Sequence, residues 1–327
     1  MFKAVLLDKS DKQFTANLVE MDESQLPELP VTLDVHYSSL NYKDALALAD
    51  RSPVVRAWPM VPGIDLVGTV KNSEYPGITV GEKVLINGFG LGETHWGGLA
   101  QVARVQPEWL IPLPVNLSSR QAMAIGTAGY TAALAVLALE RQEIEPDDGP
   151  ILVTGATGGL GSIAIALLAK RGYEVVAATG KTYETDYLKM LGAQQIIDRR
   201  SLNQAGKPLQ AETYAGVIDS VGSHTLVNAC AQTQQFGVVV ACGLAQGMDF
   251  HSTVAPFILR GISLIGINSV YASRRQRIDA WALLAHELDL SKLDRMTQEI
   301  RLSQVFDIAP QILDGTHKGR IVVNLNY

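Results

Sequence analysis

The run Ile151 to Lys181, ILVTGATGGLGSIAIALLAKRGYEVVAATGK, constrains what this chain can fold into more than any other stretch. It reads as a strand, a glycine-rich turn, a helix and a second strand. Ile151 to Thr154 supply the first apolar strand. Ala156, Gly158 and Gly161 then take the three small-residue positions of a G-x-G-x-x-G turn, with alanine standing first. The need for small residues is steric. A Cβ at Gly158 would hold the backbone away from a pyrophosphate, and one at Gly161 would push the helix, expected over Ser162 to Arg171, off the strand beneath it. The free N–H groups and partial positive charge at that helix start suit phosphate oxygens. A lone glycine pattern says little, but the flanking strand and helix and the second strand, EVVAAT, make this one a dinucleotide turn.

The end of the second strand selects the dinucleotide. Where an acidic side chain would accept from a ribose 2′-hydroxyl, the chain carries Thr179, Gly180 and Lys181. A carboxylate repels a 2′-phosphate, whereas a hydroxyl, an open backbone and an ammonium receive it. The expected cofactor is therefore NADPH.

Composition sets the outer limits. At 327 residues the chain is about twice the usual domain length, so two domains are expected. The formal net charge of −6 is spread along the chain without a basic stripe, so nucleic acid is not an expected partner. No uninterrupted apolar stretch approaches the ~20 residues that cross a bilayer, and the start, MFKAVLLDKSDK, lacks a signal-peptide pattern. No membrane partner and a place in the cytoplasm are expected. The two cysteines, Cys230 and Cys242, lie in core-type segments and read as inert buried thiols.

From Met1 to about Arg120 the chain is rich in short strands and turns: KAVLLD, VTLDVHYSSL, DLVGTVK, EKVLIN and LAQVARV. A helical stretch, QAMAIGTAGYTAALAVLALERQ, then opens an alternation of helices with ILVTGA, EVVAAT, QQIID, AGVIDSV, VVVACG and SLIGINSV. That alternation predicts six parallel strands wrapped by helices. A charged helix, RRQRIDAWALLAHEL, and a closing strand, GRIVVNLN, follow, and the strand suits the β-rich part better than the parallel sheet. The expected fold is α/β. A nucleotide domain over 126–269, with a doubly wound six-stranded parallel sheet, follows a β-rich domain over 1–125 that is rejoined by 270–327.

The blocks SSLNYKDALAL, PMVPGIDLVGTV, GEKVLI, HWGGLAQ, GTAGYTAAL, VTGATGGLGSIAIALLAKRG and LGAQQIID together resemble the medium-chain dehydrogenase/reductase superfamily over essentially the whole chain. SLNYKD, GETHWGGLA and PFILRGISLIGINSV look most like its YhdH/AcuI group, NADPH-dependent quinone reductase-like proteins that include acrylyl-CoA reductases. The resemblance implies a GroES-like catalytic domain joined to a Rossmann domain. Zinc-dependent members carry Cys-x-x-Asp and Gly-His-Glu, but here the matching segments read Asn41-Tyr42-Lys43-Asp44 and Gly63-Ile64-Asp65. A zinc site takes about four ligands, mostly Cys and His, and residues 1–125 have no Cys and only His36 and His95. No metal is expected, and so the substrate should have an acceptor that is already activated, such as an enone, an enoyl thioester or a quinone.

Two rival readings compete with the resemblance. Thr154-Gly155-x-x-x-Gly159-x-Gly161 also fits the short-chain dehydrogenase pattern, but none of Tyr173, Tyr183, Tyr187, Tyr214 or Tyr271 has the lysine four residues on that such enzymes need. A non-catalytic NADPH-binding sensor is the second rival, disfavoured because Asn41, Tyr42 and Asp44 remain in the segment that resembles the catalytic one. The implied reaction is hydride transfer from NADPH to the β-carbon of an enoyl thioester such as acrylyl-CoA, with NADPH:quinone or general enone reduction as the alternative.

Charge that develops on the substrate carbonyl needs donors already in place. Tyr42, a phenol donor, either polarises the substrate or relays the proton, or else only holds the cofactor. Asn41 orients the carbonyl or the tyrosine, and Asp44 sets the hydrogen-bond network or caps a turn. By resemblance, Thr157, Gly158, Gly159 and Leu160 line the pyrophosphate turn, Arg199 reaches the adenine end, and Leu244 follows the fifth strand. Ile258 and Ser269 match positions near the nicotinamide. Arg320 matches a late basic residue close to the cofactor; for it and for Arg199 a surface salt bridge is the alternative. Arg274, Arg275 and Arg277 offer phosphate contacts to a CoA handle or form a solvated helix face. The final sheet strand, in SLIGINSV, is expected to pair with its twin in a homodimer.

Overall fold

The structure is a computed structural model that describes residues 1–10 and 13–327. The chain divides into two compact units. The first comprises Met1–Thr127, Ser269–Ile278 and Leu293–Tyr327, and the second Ala128–Asn268 and Asp279–Lys292.

The second unit is built on a six-stranded sheet in the order Gln195–Asp198, Val175–Thr179, Ile151–Val153, Tyr214–Asp219, Thr233–Ala241 and Ser263–Gly266, with every pair parallel. Ile151–Val153, Val175–Thr179 and Tyr214–Asp219 are buried at every residue. Burial on both faces is why these strands read as unbroken apolar runs instead of alternating ones. In chain order the strands lie 3-2-1-4-5-6, and the direction of winding reverses between Ile151–Val153 and Tyr214–Asp219. At such a switch point an open sheet leaves a crevice beyond the carboxyl ends of its strands, which is where the glycine turn emerges.

The helix after the turn spans Gly159–Lys170, three residues earlier at its start than expected. Gly158 takes an extended N-cap conformation (φ −75, ψ 171), so the glycines themselves form the first helical turn. The longer helix Ser119–Arg141 is long and apolar enough to cross a membrane by composition, yet 83% of its apolar window is buried within the fold. It is also broken at Gly126, where φ is 50 and ψ is −161.

In the first unit a seven-stranded sheet runs from Thr297–Arg301 through Arg320–Asn324, Val31–Ser39, Asp65–Ser73 and Lys83–Asn87 to Ile111–Pro112, with Val102–Val105 also paired to Val31–Ser39. The closing strand Arg320–Asn324 joins this sheet, as its sequence suggested, and lies antiparallel to Val31–Ser39. The helix Tyr42–Leu48 buries Ala45, Ala47 and Leu48 in one cluster with Val305, Ile308 and Ala309 of the helix Val305–Leu313. Burying one leucine side chain contributes about 2 kcal/mol, enough to anchor a helix of seven residues and leave its first residue, Tyr42, at the surface.

Two expectations about the charged helix need correction. Residues 279–292 cluster with the nucleotide unit and not with the β-rich one. There Arg171 holds Glu287 through bonds of 2.7 and 2.8 Å, and Lys292 Nζ donates to Leu191 O at 2.9 Å. Arg277 is neither solvated nor available to a CoA phosphate, being 1% exposed. Its guanidinium donates to Asn87 O (2.6 Å), Val270 O (2.7 Å) and Ser269 O (3.2 Å), and stacks 3.8 Å over the Phe89 ring.

Candidate active site

The structure brings together most of the nucleotide-side residues at the carboxyl ends of three strands. Gly161 has no room for a side chain, since a Cβ there would lie 2.5 Å from Gly155 O and 2.8 Å from Ala156 Cα. Gly158 differs. It is exposed, and a Cβ would meet only Gly155 O, at 3.2 Å. The protein itself does not demand glycine at 158, so the open space above it is a cradle that a side chain would fill and a pyrophosphate fits. Thr157 Oγ1 and Thr179 Oγ1 lie 3.3 Å apart, and Thr179 Oγ1 accepts the Lys181 N–H at 3.0 Å, which binds the two strand ends into one rim.

The register that pairs Asp198 with Thr179 places Arg199 beside Gly180. A Cβ at Gly180 would sit 2.6 Å from Arg199 Nε, so glycine is what admits the guanidinium. The surface ion pair next to it belongs to Arg200 and Asp198, not to Arg199. Across the switch point, buried Asp219 accepts from Thr154 Oγ1 (2.6 Å), Gly222 N (2.7 Å) and Val221 N (3.2 Å). Burial pushes its carboxyl pKa upward against those donors. Leu244 is 53% exposed beyond the fifth strand, and Ile258 is 72% exposed on the short helix Ala255–Arg260. Ser269 belongs to the other unit, where its carbonyl receives Arg277.

The first unit holds a buried polar knot that the sequence only partly disclosed. Asp65, with no exposed surface, accepts five hydrogen bonds. Asn87 Nδ2 (2.6 Å) and Thr127 Oγ1 (2.5 Å) reach Oδ1, while Ser39 Oγ (2.5 Å), Thr127 N (2.8 Å) and Asn41 Nδ2 (2.9 Å) reach Oδ2. Asp44, 1% exposed, accepts from Asn41 N (2.8 Å), Asn41 Nδ2 (3.1 Å) and Ile64 N (3.0 Å). Burial, and then the negative charge of Asp65, push the Asp44 carboxyl up to about 7.

Arg320 supplies the knot's positive charge. It is 3% exposed and donates to Ala124 O (2.7 Å), Asn41 Oδ1 (3.2 Å) and Met123 O (3.4 Å). Its burial rules out the surface salt bridge that was the alternative, and three of its N–H groups hold Asn41 and the Ala124 turn. Asn41, 9% exposed, has both ends of its amide committed to the knot, which ties it to its neighbours.

Tyr42 stands apart. It is the first residue of the helix Tyr42–Leu48 and is 40% exposed, and its hydroxyl has no hydrogen-bond partner among the described residues. The knot thus presents one free phenol donor on a rigid base. His95 and Trp96 pack into the β-rich unit: the His95 ring stands edge-on to Trp109 at 4.8 Å, and Trp96 Nε1 donates to Pro59 O at 2.9 Å. Among the described residues no group of three or more His, Cys, Asp and Glu is arranged to hold a metal ion.

Residues 28–115 match the alcohol dehydrogenase GroES-like domain family, and residues 159–286 match the zinc-binding dehydrogenase family. The chain belongs to the medium-chain dehydrogenase/reductase superfamily, within its YhdH/AcuI group. It is 46% identical to the probable acrylyl-CoA reductase AcuI of Escherichia coli strain K12, over 99% of this chain and 100% of that one. It is 45% identical to the acrylyl-CoA reductase AcuI of Ruegeria pomeroyi over the full length of both. The crystal structure of the yhdH oxidoreductase from Salmonella enterica in complex with NADP superposes with a TM-score of 0.97 at 46% identity, covering 99% of this chain and 100% of that one.

Proposed function

We propose that this chain is an NADPH-dependent oxidoreductase that reduces the C=C bond of acrylyl-CoA, or of a close enoyl thioester, without a metal. The observation that carries the reading is the end-to-end likeness to two AcuI reductases, in a chain that keeps both the dinucleotide turn and Tyr42. Bound NADPH supplies the hydride that goes to the β-carbon, and a solvent-exchangeable proton added at the α-carbon completes the reduction. Gly158, Gly159, Leu160 and Gly161, with Thr157, offer the pyrophosphate a helix start free of side-chain bulk, and Thr179, Gly180, Lys181 and Arg199 receive the 2′-phosphate end. Leu244, Ile258 and Ser269 are assigned to the rest of the cofactor.

On the substrate side, Tyr42 Oη donates to the thioester oxygen as negative charge gathers there, a role for which a preset and otherwise unengaged donor is suited. Metal independence is supported by the donor set. Asn41 and Ile64 stand where zinc-dependent relatives hold ligands, and the Asn41 amide is tied into the knot. Ser263–Gly266 is the terminal strand of its sheet, with Leu264 36% and Leu259 64% exposed beside it. Pairing of that edge with a second copy would satisfy its backbone and cover these side chains, so we assign a homodimer. The cytoplasm, where NADPH and CoA thioesters meet, is the compartment that goes with this reading.

Steady-state kinetics with acryloyl-CoA, crotonoyl-CoA and a benzoquinone test the proposal. It expects kcat/KM for acryloyl-CoA to be highest, by about tenfold or more. An equal or higher value for the quinone would replace it with NADPH:quinone reduction.

A further inference from the structure

Asp65 has no exposed surface, so it cannot touch a substrate. It nevertheless gathers donors from four residues on three separate segments of the chain: Ser39 and Asn41, Asn87, and Thr127. Burial of a carboxylate at such a node is unfavourable unless its lone pairs are filled and a countercharge is near, and both conditions are met. Five donors fill it, and Arg320 lies close enough that a Cβ at Gly126 would be 2.5 Å from one Arg320 terminal nitrogen and 2.7 Å from Asp65 Oδ2. Gly126, with φ of 50, breaks the long helix at this point, which turns Thr127 N and Oγ1 onto the carboxylate.

The consequence falls on Tyr42. Its hydroxyl is tethered to nothing among the described residues, and the groups that fix its backbone are those on Asn41, the residue before it. Asn41 N is held by Asp44, Nδ2 by Asp44 and Asp65, and Oδ1 by Arg320. We propose that Asp65 is a positioning residue, which fixes Asn41 and through it sets where the Tyr42 hydroxyl points. The inference rests on the reading of Tyr42 as the donor to substrate.

A double-mutant cycle tests it, with Tyr42→Phe, Asp65→Ala, Asp65→Asn and the two combinations with Tyr42→Phe. Asp65→Asn is the milder probe. If its new NH2 replaces Oδ1, it faces the Asn87 amide, which can flip, and the Thr127 hydroxyl, which can turn. The remaining oxygen still serves Asn41, but as a neutral and weaker acceptor. Expected are losses in kcat of about a hundredfold for Tyr42→Phe, a hundredfold for Asp65→Ala and tenfold for Asp65→Asn, with the Kd for NADPH, followed by fluorescence titration, within twofold of wild type throughout.

In the Tyr42→Phe background the same changes at Asp65 should lower kcat by less than threefold, because the group they act through is gone. If Asp65→Ala and Asp65→Asn fail to fold, Thr127→Val deletes one 2.5 Å bond to Asp65 while keeping the side chain's shape, and is read in the same two backgrounds. Equal losses with and without the Tyr42 hydroxyl, or no loss on changing Asp65, would overturn the inference while leaving Tyr42 as donor. An unchanged kcat in Tyr42→Phe would instead remove the donor reading, and the inference with it.

Discussion

Replacing Gly158 by alanine separates what the fold requires of the glycine turn from what the cofactor requires. The backbone at Gly158 has φ −75 and ψ 171, which any L-residue adopts. The added methyl meets only Gly155 O, at 3.2 Å, so a shift of a few tenths of an ångström accommodates it. Loss of glycine's freedom in the unfolded chain returns roughly 0.4–1 kcal/mol. The apo protein should therefore melt within about 1 kcal/mol of wild type.

The cofactor side is different, because the methyl occupies the space through which a phosphate approaches the helix start. Losing one hydrogen bond to a charged group costs about 1.5–3 kcal/mol, which is roughly a 10- to 150-fold rise in Kd. Gly161→Ala is the control. Its Cβ would sit 2.5 Å from Gly155 O, well inside the ~3.5 Å of a normal contact, so the strand and helix must part, at a cost of about 1–3 kcal/mol to the apo protein. Thermal melts without cofactor, together with NADPH fluorescence titrations, read both quantities. The reasoning fails if Gly158→Ala binds NADPH within twofold of wild type, or if it destabilises the apo protein more than Gly161→Ala does.

Wild type should prefer NADPH over NADH by at least tenfold, about 1.4 kcal/mol, and Lys181→Glu should erase that preference; equal use of the two cofactors by wild type would remove the phosphate-reading role of Thr179, Gly180 and Lys181. Purified protein should carry no stoichiometric zinc and should keep its activity in EDTA, and a bound zinc whose removal stopped turnover would contradict the metal-free mechanism. Asp44 gives a pH signature. Its carboxyl is raised from 3.8 to about 7, so the folded state holds this proton more tightly than the unfolded state does. The resulting stabilisation is complete below about pH 4 and is lost as the pH rises through about 7. Melting temperatures should fall from pH 5 to pH 8 in wild type and fall less in Asp44→Asn, and parallel slopes would show that Asp44 is not the group responsible.

The nucleotide side was legible because its signal is contiguous. Strand, small-residue turn, helix and second strand lie within Ile151 to Lys181, and each residue's role follows from local backbone geometry. The polar knot was not, because it is assembled from residues 39, 41, 44, 65, 87, 127 and 320, and only the fold brings these together. Asn41, Asp44 and Asp65 stood in quoted segments, but nothing in the sequence says that Asp65 is completely buried or that Gly126 breaks an apolar helix to let Thr127 reach it. The burial of Arg277 and Arg320 was hidden for the same reason. Arginines read as surface charge or phosphate contacts, yet both are buried and cap backbone carbonyls, an outcome that depends on where distant strands end. The strand Thr15–Met21 is not legible in the sequence because it is largely exposed and, among the described residues, pairs only with Phe2–Asp8, leaving no run of buried positions to mark it.

The most direct test of the central claim is the fate of label in the product. With NADPH deuterated at the transferable C4 position, acryloyl-CoA should yield propionyl-CoA with one deuterium at C3, and with unlabelled NADPH in heavy water one deuterium should appear at C2, as mass spectrometry and NMR would show. Deuterium missing from C3, or acryloyl-CoA left unreduced while a quinone is turned over, would contradict the account.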